Sequence, residues 1–164
     1  MQKEMHDQQM SSDMMRSHYR MLVLNLAASL VTMYFVMFTM IWSFGDFFNN
    51  LNMFYMALMM AAPMGVLMLL MMRSMYQNQK LNLALYAVLA VILTLAFIAM
   101  RGQTAIGDRQ FLRSMIPHHS GAILMCKRAS IRDPEINQLC FGPDGIVASQ
   151  QREIDQMKAI LERQ

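Results

Sequence analysis

The chain has 164 residues, of which 55% are hydrophobic and 15% are charged, and its formal net charge is +3. Charged residues make up about a quarter of an ordinary soluble protein, so the composition excludes that class. The basic residues are scattered rather than interleaved with aromatic ones, which gives no indication of nucleic-acid binding. The 22 methionines are the compositional anomaly, because methionine is not among the common residues of an average protein.

Residues 1–20 form a polar N-terminal segment that contains histidine and methionine. Met10, Met14 and His18 are spaced by four, so they would share one face of a helix. Two interpretations are open. The segment is either an arm that collects copper or a short juxtamembrane helix whose methionines rest on lipid or on a neighbouring helix.

Three uncharged apolar blocks follow, at about residues 21–42, 51–72 and 81–100. Each is close to the roughly 20 residues that cross a bilayer core. The first is too long for the apolar region of a cleavable signal peptide, and a long segment of mixed charge precedes it. The sequence therefore predicts an all-α fold with a three-helix transmembrane anchor over 21–100 and a small helical extramembrane domain over 101–164.

The second block carries two stripes of residues at helical spacing. A row of methionines steps by three or four: Met53, Met56, Met60, Met64, Met68, Met71 and Met75. Beside it, Ala57, Ala61 and Gly65 form a repeat of small residues that lets helices approach closely. Thioether sulfur is a soft ligand that could pass Cu(I) along, and methionine is also an adaptable filler in helix packing. Both interpretations stay open, as does whether the row faces protein or lipid.

Lysine and arginine concentrate before the first block and between the second and third blocks, and none occurs between the first and second. These residues are Lys3, Arg16, Arg20, Arg73 and Lys80. Because basic loops stay in the cytoplasm, the N-terminus is predicted inside and residues 101–164 outside. In a bacterium this describes a multi-pass inner-membrane protein with a periplasmic domain.

Three helices are predicted in the extramembrane domain. The first runs from Asp108, a natural N-cap, to about Ser130, and Pro117 is expected to interrupt it. Asp133 caps a second helix that opens with proline. A third covers about 146–163, and its inner face is predicted from helical periodicity as Ile146, Gln150, Glu153, Met157 and Ile160.

A histidine pair lies in the first of these helices with sulfur on either side. Steps of three and four place one set of residues on a broad face: Met115, His118 or His119, Ala122, and Met125 or Cys126. Histidine, methionine and cysteine are ligands of soft or borderline metals. Alternatively, the methionines are core and a buried histidine is hydrogen-bonded to a neighbour.

If the third helix folds back on the first, Gln150, Glu153 and Met157 come near the histidine pair and Met115. Metal sites in helical bundles are built in this way, from inward side chains on facing helices. The soft ligand set suits copper, Cu(I) above all, and histidine with a carboxylate would also suit zinc or iron.

The same residues resemble a known family. The pattern is Phe111-x-x-x-Met115-Ile116-Pro117-His118-His119-x-x-Ala122-x-x-Met125, then Pro134-Glu135-Ile136-x-x-Leu139, then Gln150-x-x-Glu153-Ile154-x-x-Met157. Over about 108–163 it resembles the bacterial domain of unknown function 305 (DUF305), and the methionine-rich anchor resembles a membrane-bound branch of that family. The resemblance implies a ferritin-like helical domain associated with copper binding and copper resistance in the periplasm. It implies roles for Met115, His118, His119, Met125, Glu153 and Met157.

The two cysteines, Cys126 and Cys140, have three interpretations. They could bind Cu(I) as thiolates, form a disulfide between neighbouring helices, or be small buried hydrophobic residues. An oxidising periplasm favours the disulfide if the two Cα atoms lie within about 7 Å.

The leading functional hypothesis is a membrane-anchored metal-binding protein that binds copper at the periplasmic face for sequestration, resistance or delivery. His118 and His119 would anchor the metal and Cys126 could add a thiolate. Glu153 would be a hard ligand or the group that orients a histidine. The soft auxiliary ligands would be Met115, Met125 and Met157.

Its expected partners are the lipid bilayer, a second copy or a larger membrane complex, and a copper transporter or chaperone. The alternative is a non-catalytic accessory subunit that docks onto a membrane complex through the small-residue stripe. No enzyme is predicted. A metal-dependent oxidoreductase needs an open coordination position and a substrate pocket, and the sequence shows no clear sign of either.

Overall fold

The structure, a computed structural model, describes the backbone of residues 2–164 and the side chains of residues 14–164. This described part is helical and contains no β-strand. Its α-helices are α1 (Gln2–Val36), α2 (Leu51–Met71), α3 (Gln79–Arg101), α4 (Asp108–Arg128), α5 (Pro134–Phe141) and α6 (Ile146–Arg163). Two short 3-10 turns, Met37–Met40 and Phe44–Asp46, lie between α1 and α2. The predicted all-α fold is confirmed.

Three helical stretches are long and apolar enough to cross a membrane. They are Met14–Met40, Leu51–Met71 and Gln79–Arg101. They agree with the three predicted spans, although the first begins several residues earlier because α1 continues without a break from the polar segment. Of the face predicted from Met10, Met14 and His18, the Met10 side chain lies outside the described residues.

The chain divides into two compact units, each assembled from two segments. The first comprises residues 1–34 and 55–102, and the second comprises residues 35–54 and 103–164. The end of α1, the following loop and the start of α2 therefore belong to the unit that contains the extramembrane domain. The predicted division at residue 101 had left that segment in the anchor.

The core of the first unit joins α1, α2 and α3. Its buried residues are Tyr19, Leu22, Ala62, Leu69, Tyr76 and Leu89. At one end the Tyr19 hydroxyl donates a hydrogen bond of 2.7 Å to Oδ1 of Asn82. The Asn82 amide donates another of 2.7 Å to the carbonyl of Tyr76. These bonds connect the middle of α1 to the start of α3 and to the turn that precedes it.

The small-residue stripe of α2 is the packing face of that helix. Ala57, Ala61 and Gly65 are all buried. A Cβ atom at Gly65 would lie 3.0 Å from Cδ1 of Leu26 on α1 and 3.0 Å from Cδ1 of Leu89 on α3. The stripe is therefore a packing face between the chain's own helices.

The methionine row of α2 does not share a single environment. Met56 and Met60 are 42% and 41% exposed, and Met71 is 82% exposed. Met68, by contrast, packs against the core of the first unit. The row runs partly along the packing face and partly along the outside of the helix.

The core of the second unit is formed mainly by α4 and α6. Its buried residues are Leu112, Ile116, Ile123, Ile154 and Met157, with Trp42 and Phe48 packed against them. The two helices are antiparallel: Arg109 and Arg113 near the start of α4 line the same cavity as Leu161 and Glu162 near the end of α6. The predicted return of the last helix onto α4 is confirmed.

The helix ends agree with the sequence in two cases and differ in one. Asp133 caps α5, accepting hydrogen bonds from the backbone N–H groups of Glu135 and Ile136. Helix α6 has the predicted bounds. The N-cap of α4 is Gly107, whose backbone is extended, so Asp108 is the first helical residue rather than the cap. Helix α4 continues through Pro117, whose ring is buried, and the bend that a proline produces in a helix interior stays a prediction.

Candidate metal centre

Helix α4 presents its histidine pair at the edge of its buried face. Leu112, Ile116 and Ile123 recur at helical spacing and anchor the helix in the core. Adjacent helical residues point about 100° apart, so the two neighbouring histidines face different directions. The side chain of His119 is 13% exposed, whereas His118 is exposed, and their ring centroids are 6.0 Å apart.

His119 meets a carboxylate from the facing helix. Its Nδ1 lies 2.9 Å from Oε2 of Glu153 on α6, a side chain that is 49% exposed. The buried Nδ1 has no well-aligned hydrogen bond, so the contact is one of charge and proximity. The amide of Gln150 lies 3.4 Å from the same Oε2 atom and donates to it. The same carboxylate oxygen of Glu153 thus contacts both His119 on α4 and Gln150 on α6.

The surroundings of His119 favour its neutral form. Burial lowers its pKa below the ordinary value of 6.5, the nearby Glu153 carboxylate partly offsets this, and His118 lowers the pKa further. Neutral imidazole is the form that binds a metal. His119 is therefore in the ligand form over more of the mildly acidic range than a free histidine would be.

The predicted methionine ligands divide between core and surface. Met157 is buried in the core of the second unit and Met115 packs against the same cluster. Met125 is 56% exposed on α4. The structure therefore brings Met115, Met157, Glu153 and His119 to the α4–α6 contact, and it leaves His118 and Met125 on the outer side of α4.

The cysteines form a disulfide that joins α4 to α5. Cys126 and Cys140 are bonded with their Cα atoms 5.6 Å apart, and both residues are buried. Of the three interpretations the disulfide is the one observed. The assignment of Cys126 as a thiolate ligand is corrected here, because a disulfide sulfur carries no thiolate charge.

A buried polar network holds the loop before α2 against the hairpin formed by α4 and α6. Asp46 in that loop accepts a hydrogen bond of 2.5 Å from the Ser120 hydroxyl and contacts Nζ of Lys158 at 2.6 Å. The backbone N–H of Trp42 donates to the Ser120 oxygen at 2.7 Å. Ser120 follows His119 directly, so the network fixes the turn of α4 that carries the histidines.

This network was not predicted from the sequence, although a signal for it was present. Asp46 is the single charged residue between positions 21 and 72. A carboxylate at a membrane boundary is costly to bury without a partner, so its presence already implied a specific contact. What sequence could not supply was the partner, since Lys158 is 112 positions away.

The donors at the α4–α6 contact are one imidazole, one carboxylate and two thioethers. Within the described part of the chain, no group of three or more His, Cys, Asp and Glu side chains is placed to hold a metal ion. A metal at this contact would be held by His119 with the thioethers of Met115 and Met157, with His118 adjacent. Imidazole with thioether suits Cu(I) better than zinc or iron, which prefer thiolate, carboxylate and additional imidazole.

The fold and the site define an all-α protein with three helices apolar enough to cross a membrane and a helical hairpin that carries a histidine pair. Residues 94–161 match the family described as domain of unknown function (DUF305). The chain is 40% identical over 122 residues to uncharacterized protein L153 of Acanthamoeba polyphaga mimivirus. The matched region covers 73% of this chain and 76% of the viral protein. The chain belongs to the DUF305 family. No solved structure matches it.

Proposed function

We propose that this protein is anchored in a membrane and binds copper, Cu(I) in preference, through its α4–α6 hairpin. In a bacterium the hairpin would lie at the periplasmic face of the inner membrane and would serve copper sequestration, resistance or delivery. A copper transporter or chaperone would exchange the metal with it.

The contact between His119 and Glu153 carries the proposal. A histidine that binds metal through one ring nitrogen commonly has its other N–H held by a carboxylate. Here Oε2 of Glu153 lies 2.9 Å from Nδ1 of His119, and its negative charge would favour the proton on Nδ1 and leave the Nε2 lone pair for the metal. Glu153 in this proposal orients the histidine and is not itself a ligand.

The methionines supply the preference for the metal. Thioether sulfur is uncharged and soft, so it binds Cu(I) and gives little to a hard divalent cation. Met115 and Met157 lie in or against the same cluster at the α4–α6 contact. His118 and Met125, on the outer side of α4, would take part when copper is received from or passed to a partner. The proposed hairpin is ferritin-like in that inward side chains on facing helices hold the metal.

The experiment is anaerobic loading with Cu(I) followed by elemental analysis of the detergent-purified chain. The parent is compared with His118→Asn/His119→Asn, which retains polarity and helical shape. Met40→Leu is the matched control, since it removes an exposed thioether elsewhere in the second unit. We expect the histidine variant to lose one tightly bound copper relative to both the parent and Met40→Leu.

Equal copper in all three proteins would overturn the assignment of the histidine pair. A parent that binds no copper, zinc or iron would overturn the metal-binding function and leave the accessory-subunit hypothesis. The circular dichroism of the variant must match that of the parent for the comparison to hold.

A further inference from the structure

A second cluster of soft donors lies in the first unit, where the start of the apolar part of α1 meets the turn after α2. There a cavity of about 90 Å³ is lined by Met14, Met15, His18, Ser74, Met75 and Gln77. Three of the six lining residues carry thioether sulfur and one carries imidazole. We propose that this cavity is a second metal site that takes a soft monovalent cation, Cu(I) in the cell, with Met14, His18 and Met75 as ligands.

One ring nitrogen of His18 contacts the backbone beside the cavity. Its Nδ1 lies 3.3 Å from the carbonyl oxygen of Met75, and a carbonyl can only accept, so Nδ1 carries the proton. The remaining nitrogen, Nε2, then keeps its lone pair. A backbone carbonyl on the second nitrogen is a common support for a metal-binding histidine.

The three methionines that line the cavity differ in how deeply they are buried. Met15 packs against the core of the first unit. Met14 is 60% exposed and Met75 is 36% exposed. A methionine that serves only as core filler gains by being covered, so the exposure of these two leaves their sulfur atoms accessible to an incoming ion.

The chemistry of the lining selects the class of cation. Among the described residues that line the cavity there is no carboxylate and no thiolate. Hard divalent cations need oxygen ligands, and zinc sites are built from thiolate, imidazole and carboxylate. Thioether with a neutral imidazole leaves Cu(I) and Ag(I) as the matching ions.

The position in the chain indicates a use that differs from that of the hairpin. Met75 ends the methionine row of α2, and the α2–α3 turn and the start of α1 hold the basic residues that predict the cytoplasmic side. The site would thus load or unload copper at the cytoplasmic face of the membrane.

The test uses the full chain in detergent with the His118→Asn/His119→Asn background, so that the hairpin histidines cannot contribute. Methionine methyl groups are labelled with ¹³C and followed by NMR during titration with Ag(I), which binds as Cu(I) does but is not oxidised in air. We expect the methyl signals of Met14 and Met75 to shift together and to saturate at one ion per chain. Met71, which is 82% exposed and does not line the cavity, should not shift.

Three variants complete the test. Met14→Leu/Met75→Leu removes the sulfur and keeps the volume, and it should weaken Ag(I) binding by about tenfold or more. His18→Asn keeps a donor toward the Met75 carbonyl and should weaken binding similarly. Met71→Leu is the matched control and should bind as the background does.

Unchanged binding in Met14→Leu/Met75→Leu, or equal shifts at Met71 and Met14, would overturn the second site. Because the background lacks the hairpin histidines, such a failure would leave the proposed function of the hairpin standing. Conversely, a hairpin that binds no copper would not affect this titration.

Discussion

At the scale of single residues, the contact between His119 and Glu153 sets the properties of the histidine pair. His119 is mostly buried and His118 is exposed, so only His119 experiences the low polarity of the domain interior. Burial favours its neutral form and Glu153 favours its protonated form. The balance determines how well the site competes with protons for a metal.

The titration of His119 should respond to its neighbours in opposite directions. Glu153→Gln removes the charge that stabilises the imidazolium, so we expect the pKa of His119 to fall further. His118→Asn removes a repulsive neighbour, so the pKa should rise. Both are measured by NMR of the histidine rings in the metal-free protein, with Gln151→Asn on the exposed side of α6 as a control.

The same shift has a consequence for stability. Because the folded pKa of His119 lies below 6.5, the unfolded chain binds this proton more tightly than the folded chain does. The contribution of His119 to stability is therefore complete above about pH 6.5 and is lost as the pH falls toward the folded pKa. A His119 resonance that titrates above 6.5 would contradict the account.

The Asp46 network is the second residue-scale feature with a measurable effect. Asp46 is buried and connects Lys158 with Ser120. Lys158→Met would leave the buried carboxylate without its cationic partner, which costs about 3 kcal/mol or more. Ser120→Ala removes one neutral partner and should cost about 1 kcal/mol.

Both values can be measured by urea unfolding followed through the fluorescence of Trp42, the one tryptophan of the chain. Asp46→Ala/Lys158→Met should recover a large part of the loss seen in Lys158→Met, because neither charge is then left alone. Additive effects of the two substitutions would mean that the pair is not coupled.

At the scale of secondary-structure elements, the disulfide restrains the short helix α5 against α4. Cys126 and Cys140 are 14 positions apart, and closing a loop of that size stabilises a fold by about 3 kcal/mol. We expect Cys126→Ser/Cys140→Ser to lose about this amount and to keep its copper affinity, since neither sulfur is free to bind in the oxidised protein. If the folded double variant lost its copper, the interpretation of Cys126 as a copper ligand would be supported instead.

Most element boundaries followed from local signals in the sequence. The three apolar stretches, the Asp133-Pro134 helix start and the bounds of α6 all depend on residues close to each other in the chain. The predicted helix over 108–130 already extended across Pro117, and α4 contains this proline in its interior. Proline there frees the carbonyl four residues earlier and bends the helix, and this bend stays a prediction.

The candidate site was predicted in part. Helical periodicity correctly brought Glu153 to the histidine pair, because two antiparallel amphipathic helices must bury their apolar faces against each other. Periodicity could not decide that Cys126 would pair with Cys140, since that depends on how α5 folds back. It also could not reveal Asp46 or the cavity at His18, because both are formed by residues that are distant in the chain.

At the scale of the whole molecule, the loop between α1 and α2 gives a topological constraint. Asp46 contacts Ser120 and Lys158, so this loop and residues 103–164 must lie on the same side of a membrane. Between them the chain contains α2 and α3, both apolar enough to cross. If α2 and α3 each cross the membrane once, in opposite directions, this constraint is satisfied. The basic residues before the first apolar block and between the second and third predict which side is cytoplasmic.

Labelling of single cysteines tests this topology. In the Cys126→Ser/Cys140→Ser background, Ser130→Cys should react with a membrane-impermeant maleimide added to intact bacterial cells whose outer membrane is permeabilised. Ser74→Cys should react only after lysis. Both serines are exposed, so accessibility within the fold does not distinguish them. Reaction of both cysteines from the same side would refute a membrane crossing by α3, which lies between the two positions.

X-ray absorption at the copper edge can show whether the hairpin binds copper through its histidine pair and thioethers. The sample is the Cu(I)-loaded chain with His18→Asn and Met75→Leu, which removes the second cluster. We expect a spectrum with both imidazole nitrogen and thioether sulfur around copper, and we expect His118→Asn/His119→Asn to remove the imidazole component. A spectrum that the histidine substitutions do not change would contradict this expectation.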